Sequence, residues 1–334
     1  MSQKNKEKFR EIIDDLISGK IETGLPPQKR WIPKYVYHFT DILNAKNILS
    51  TGYIYSRKSA NELEYMQVDN ASQEVINHTE EKCKAYARFY FRPKTPTQFW
   101  NEGIRSAQQI NSELNAHCPV PVFFLFDSYS MLTLENSQFT YGNLATKNTA
   151  LYNDDVSFKE MPFSYVYHEG SFDSSLKSQI IYNRHAELIV PEKTALKYYL
   201  KMIVCRSNAE KETFINLLDA QEKEYYKSII VVDTRNAFFN GCFTYVEDAN
   251  LTSEKIVLTF NQSRGDSVFK AYLQILEEST KKRYTWEKSN YPATPLQEFN
   301  LSNLEDPNSY IVEFYLDKHL AYKGVYRKKD SLPF

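Results

Sequence analysis

Tyr35-Val36-Tyr37-His38-Phe39-Thr40-Asp41-Ile42-Leu43-Asn44, which closes on Gly52-Tyr53-Ile54-Tyr55-Ser56, is the stretch whose reading decides the fold. Residues 35–39 alternate with a period of two and predict a strand. Thr40 then reads as the N-cap of a helix carrying Ile42, Leu43, Ile48 and Leu49. Gly52 stands where a C′ glycine ends a helix, and a second strand follows at 53–55. A strand–helix–strand opening of this kind points to an α+β protein. His38 and Thr40 place polar groups on an otherwise apolar strand, where an unpaired polar group costs roughly 2–7 kcal/mol on transfer scales. That cost marks the strand as the wall of a site; a histidine satisfied by backbone and a threonine acting only as a cap are the plainer alternatives.

Upstream, Phe9, Ile12, Ile13, Leu16 and Ile17 recur at helical spacing and predict a helix packed on the body of the protein. Pro26, Pro27 and Pro33 break the chain before the first strand. Downstream, residues 57–81 are polar and read as helix or loop. Residues 85–91 alternate again until Pro93 and Pro96 stop them. Val122-Phe123-Phe124-Leu125-Phe126 is a continuous apolar run and predicts a strand buried on both faces. Strands are expected at 186–190 and 228–232, a strand or short helix at 194–205 and a helix at 208–223. From 237 the pattern turns β-rich, with strands at 241–246, 255–260, 310–316 and 320–326 around one helix at 267–279. The expected architecture is an N-terminal helix and linker (1–33), a mixed-sheet α+β core (34–236) and a sandwich-like β-rich module (237–334).

Composition narrows the function classes. At 334 residues, with 42% hydrophobic and 25% charged residues, the chain is rich enough in apolar side chains to exclude wholesale disorder. No apolar run reaches the roughly 20 residues of a membrane span, and the N-terminus lacks the apolar stretch of a secretion signal. Cys83, Cys118, Cys205 and Cys242 form no CxxC pair, so free thiols fit better than a zinc site or a disulfide framework. A cytoplasmic protein without a bound metal is expected. Neither GxGxxG nor GxxxxGK[ST] occurs. A net charge of −1 argues against a uniformly basic nucleic-acid binder, yet residues 82–105 carry Lys82, Lys84, Arg88, Arg92, Lys94 and Arg105 against the single acid Glu102. Such a local excess can form the groove that meets phosphate.

Two further segments carry chemistry. His185-Ala186-Glu187-Leu188-Ile189-Val190 sets a glutamate into an apolar strand, and Phe89-Tyr90-Phe91-Arg92-Pro93-Lys94-Thr95-Pro96 displays cations on a proline-stiffened turn. Taken together, the three segments resemble the DarT family, toxins that move ADP-ribose from NAD onto a base of single-stranded DNA. The resemblance spans about residues 33–232. It implies an ADP-ribosyltransferase using NAD as co-substrate, with an oxocarbenium-like state at the ribose. It also implies an antitoxin partner and a role in phage defence.

Carried onto this chain, the family's catalytic glutamate is Glu187, expected to hold the ribose 2′-hydroxyl and to take a proton from the attacking base. His38, Thr40, Asn44 and Tyr55 are expected at the cofactor. Family members also use an arginine after the first strand–helix–strand unit, but residues 60–81 contain none. Arg57 is the first candidate for that catalytic role; Arg88, Arg92, Lys94 and Trp100 are expected to meet nucleic acid. His185 is a candidate to orient Glu187. DNA is the acceptor by resemblance and messenger RNA the other candidate. A nucleic-acid- or antitoxin-binding module with a degenerate NAD pocket is the alternative from a different class.

Overall fold

The computed structural model describes residues 5–68, 80–106, 109–110, 117–263 and 268–328. Helix α1 (Lys6–Ser18) buries Phe9, Ile12, Ile13 and Leu16, and Phe9 meets Phe158 at 5.4 Å between ring centroids. Strand β1 (Tyr35–Asp41) runs two residues further than the alternation suggested. Asp41 rather than Thr40 therefore caps helix α2 (Ile42–Thr51): its carboxylate accepts from Leu43 N and, across the strand, from Val120 N. Burial pushes the Asp41 carboxyl up to about 6. Gly52 ends α2 at φ 75°, the left-handed turn a glycine tolerates.

The remaining strands of the first unit are β2 (Tyr53–Tyr55), β3 (Tyr86–Tyr90), β4 (Pro121–Asp127), β5 (Gln138–Phe139), β6 (Glu187–Pro191), β7 (Lys193–Ala195), β8 (Leu200–Cys205) and β9 (Ile230–Val232). Seven of the nine form one mixed sheet in the order β5-β6-β3-β1-β4-β8-β9, while β2 and β7 pair separately. β1 and β4 match over seven residue pairs, from Tyr35↔Asp127 to Asp41↔Pro121. β1 and β3, by contrast, share the single pair Tyr37↔Tyr90. The sheet forks there, and the fork becomes the site. β4 is buried along nearly its whole length, as its apolar run requires.

The second unit is a two-sheet sandwich. One sheet orders as β10 (Val246–Leu251), β11 (Lys255–Phe260) and β14 (Leu296–Asn300). The other orders as β13 (Arg283–Tyr291), β12 (Phe269–Glu277), β15 (Ser309–Leu316) and β16 (His319–Arg327). The helix expected at 267–279 is strand β12: Phe269, Ala271, Leu273 and Ile275 are buried in alternation, a period of two that the run of apolar letters concealed. The helix expected over 208–223 breaks at Leu218 into Asn208–Leu217 and Ala220–Tyr226.

Ala237, Phe238 and Phe239 pack into the larger core, and the chain passes to the sandwich at Asn240–Thr244. That passage is tied down. The buried Glu102 carboxylate accepts from the Asn240 and Gly241 amides, and Ile104 bridges to Thr244. Ile104 and Ala209 of the first unit lie within the sandwich core. The two units share a packed boundary.

Candidate active site

The fork between β1 and β3 opens into a cleft of about 230 Å³. His38 and Thr40 line it from β1, and Tyr86, Arg88 and Tyr90 from β3. Tyr53 and Tyr55 line it from β2, Arg57 from helix α3 (Arg57–Glu62), and Thr97 and Asn101 from the helix Pro96–Asn101. Alternation explains the β3 contribution: Ala87 and Phe89 are buried in the core while Tyr86, Arg88 and Tyr90 point the other way.

His38 spans the fork. Its Nδ1 lies 3.1 Å from Arg88 O, so Nδ1–H is the donor and Nε2 is left as the ring's acceptor. Burial lowers its pKa to about 4. The ring is therefore expected to remain neutral over the physiological range. Its folded pKa lies below the unfolded one, so its contribution to stability is complete above about 6.5 and lost as pH falls toward about 4. Ring resonances followed by NMR check this, and a titration near 6.5 would refute it.

Asn44 lines the cleft, but its amide is committed to the chain above it. Nδ2 donates to Val68 O at 2.7 Å, and Oδ1 accepts from Gln67 N at 2.8 Å and Val68 N at 3.1 Å. This clamp holds the wall containing Tyr65, Met66 and Val68. Asn44→Ala is expected to cost about 1–3 kcal/mol and to weaken co-substrate binding through that wall. Urea melts with calorimetric NAD titration measure both, and unchanged NAD affinity would remove the clamp's functional part.

Glu187 is fully buried at the start of β6, directly opposite Tyr90. Its peptide group is fixed by Thr140: Thr140 N donates to Glu187 O at 2.8 Å, and Glu187 N donates to Thr140 Oγ1 at 3.2 Å. The carboxylate is gripped on both oxygens by Arg88, Nε to Oε2 at 2.9 Å and Nη2 to Oε1 at 2.6 Å. Arg88 Nη2 also donates to Asn143 Oδ1 at 3.2 Å. Burial pushes the Glu187 carboxyl above its ordinary value, and Arg88 with the Leu144 amide pulls it back. The arrangement is a basic carboxylate held in fixed orientation behind a guanidinium that itself lines the cleft.

The structure thus brings His38, Thr40, Asn44, Tyr55 and Arg57 to the cleft, with Glu187 behind it, and adds Arg88, which had been assigned to nucleic acid and here joins the two. The other residues of that group lie elsewhere. Arg92 is buried, its guanidinium donating to the carbonyls of Pro93, Val166 and His168, which places it inside the protein. Lys94 Nζ donates to Asn236 O at 2.5 Å. Trp100 is 51% exposed on the helix whose Thr97 and Asn101 line the cleft, edge-on to Phe99. His185 does not orient Glu187: its Nδ1 is bonded to Ile181 O and its Nε2 to Thr97 Oγ1. Arg88 does that work instead. Asn143 had no signal in its polar loop, nor had Tyr65, which lines the cleft and packs on Tyr55 at 5.5 Å between ring centroids, or Lys193, whose Nζ lies 4.4 Å from the Tyr53 ring centre.

Among the described residues, no group of three or more His, Cys, Asp or Glu could hold a metal ion, and no helix is long and apolar enough to cross a membrane. All four cysteines are free and buried.

Comparison with known proteins places this site in context. The family model described as "ssDNA thymidine ADP-ribosyltransferase, DarT" matches residues 37–239, more than half of the chain. Among solved structures, Thermus sp. 2.9 DarT in complex with ADP-ribosylated ssDNA is similar at 13% identity and a TM-score of 0.50, covering 62% of this chain and 97% of that one. The same Thermus protein in complex with NAD+ aligns at 14% identity and a TM-score of 0.48, covering 62% and 98%. A comparison with curated proteins finds no match.

Proposed function

The chain belongs to the DarT family of ADP-ribosyltransferases, and from that membership we propose that it transfers ADP-ribose from NAD to a base of single-stranded DNA, with Glu187 as the catalytic carboxylate. The observation that carries this reading is the Glu187 carboxylate held by Arg88 behind the fork lined by His38 and Thr40. Breaking the nicotinamide–ribose bond leaves positive charge on the sugar, and an oriented carboxylate stabilises that charge. The same carboxylate accepts the proton as a base nitrogen attacks, and burial has already raised its basicity. His38 and Thr40 hold the ribose or adenosine part of NAD, and Tyr53 and Tyr55 offer flat surfaces to its rings. Arg57, which also lines the cleft, takes the pyrophosphate in this reading.

An unstacked strand suits this chemistry, because a base already exposed avoids the few kcal/mol of flipping from a duplex. Modified bases block copying of the strand, so the family resemblance supports a toxin restrained by an antitoxin and deployed against phage. The test is purified protein with NAD labelled in the adenylate and matched single-stranded DNA and RNA. Label on DNA supports the reading. Label on RNA alone changes the acceptor, and free ADP-ribose without labelled polynucleotide makes the protein an NAD hydrolase. NAD left intact would favour a binding module with a degenerate pocket.

A further inference from the structure

A second cavity, of about 420 Å³, lies against the end of the sheet formed by β4, β8 and β9 and shares no lining residue with the cleft. Its floor is apolar, formed by Leu125, Met202, Val204 and Val231. Its wall is aromatic: Trp31 lies 5.6 Å from Phe238 and 6.3 Å from Tyr35 between ring centroids. Lys34 and Arg235 stand exposed at the rim, and neither is in an ion pair among the described residues. The acid between them, Asp233, is occupied, since its carboxylate accepts from the Ala237, Phe238 and Phe239 amides. An apolar, aromatic slot with a cationic rim is complementary to a flat ring carrying an anion, which is the chemistry of a nucleotide.

The position of the cavity says which nucleotide. The helix Pro96–Asn101 links it to the cleft: Thr97 and Asn101 line the cleft, while Gln98 Nε2 donates to Phe238 O at 2.7 Å. Lys94, just before that helix, donates to Asn236 beside Arg235. Trp100 is exposed on the same helix. The helix that lines the cleft through Thr97 and Asn101 thus also touches the wall of the second cavity through Gln98. We propose that this cavity is a remote nucleotide subsite for the acceptor strand, taking one base against Trp31 and Phe238 with its phosphate at Lys34 and Arg235. The inference rests on single-stranded DNA being the acceptor.

The full-length protein should be titrated with fluorescent single-stranded DNA of about four and about sixteen nucleotides, bracketing one site. Trp31→Ala and Arg235→Glu are expected to weaken the longer oligonucleotide about tenfold or more, with a shallower salt dependence for Arg235→Glu. Affinity for the shorter one, and transfer to it, should stay as in the unchanged protein. Arg235 is exposed, so its variant reports even where loss of the indole disturbs folding. Full affinity for the longer strand in Arg235→Glu overturns the subsite and leaves the cavity to another occupant, such as a partner's peptide. Failure of the unchanged protein to bind either oligonucleotide overturns the acceptor reading itself, a different result.

Discussion

Glu187→Gln is expected to reduce ADP-ribosyl transfer by about 10²–10⁴-fold while the protein stays folded. The amide keeps the shape of the carboxylate, and its oxygen still accepts from Arg88, so the buried position remains filled and partly bonded. What disappears is the negative charge behind the cleft and the ability to take a proton. Binding of NAD should change much less than turnover, because the charge matters most when positive charge develops on the ribose. Transfer of adenylate label to single-stranded DNA measures the first effect, and calorimetric NAD binding the second. A variant that modifies DNA at the unaltered rate would remove Glu187 from the chemistry. One that loses NAD binding and turnover together would make it a binding residue.

The sequence carried the first half of the fold because that half is built from short alternating strands with strong stop signals. Residues 35–39, the glycine at 52 and the apolar run 122–126 each obey a single local rule, and the structure keeps all three. The exceptions have physical reasons. Asp41 displaced Thr40 as the cap because its carboxylate reaches both α2 and the Val120 amide, a long-range bond that spacing cannot announce. Strand β12 was hidden because two of its four outward residues, Tyr272 and Leu276, are themselves apolar and blur the alternation. At the site, Glu187 and His38 were legible from motif and patterning. Arg88 was visible only as one cation among six, and its meaning comes from facing Glu187 across β3 and β6, 99 residues apart. Arg92, four residues on, looks equivalent in sequence and ends inside the protein. Arg92 lies beyond the end of β3, where the Pro93, Val166 and His168 carbonyls take its guanidinium.

Removing that guanidinium should have the largest effect on stability. Arg88→Met keeps an unbranched side chain at the position but leaves the Glu187 carboxylate without a counter-charge at a place where it is 0% exposed. Loss of one partner from a buried pair costs about 3–5 kcal/mol, and the cost here should depend on pH in a defined direction. Glu187 already has a raised pKa, from burial opposed by Arg88. Without Arg88 it should rise further. A carboxyl that holds its proton more tightly folded than unfolded loses stability as pH rises from the ordinary carboxylate value through the raised one. Urea melts of Arg88→Met should therefore show a protein near normal at acid pH that weakens steadily toward neutrality. Glu187→Gln placed on top of Arg88→Met removes the stranded charge, so the double variant should recover most of that neutral-pH loss without recovering transfer. Arg88→Lys should fall between, because an ammonium supplies charge without the two-point grip. A pH-independent loss in Arg88→Met, or a double variant as unstable as the single one, would mean that Arg88 matters for packing and not for holding the carboxylate.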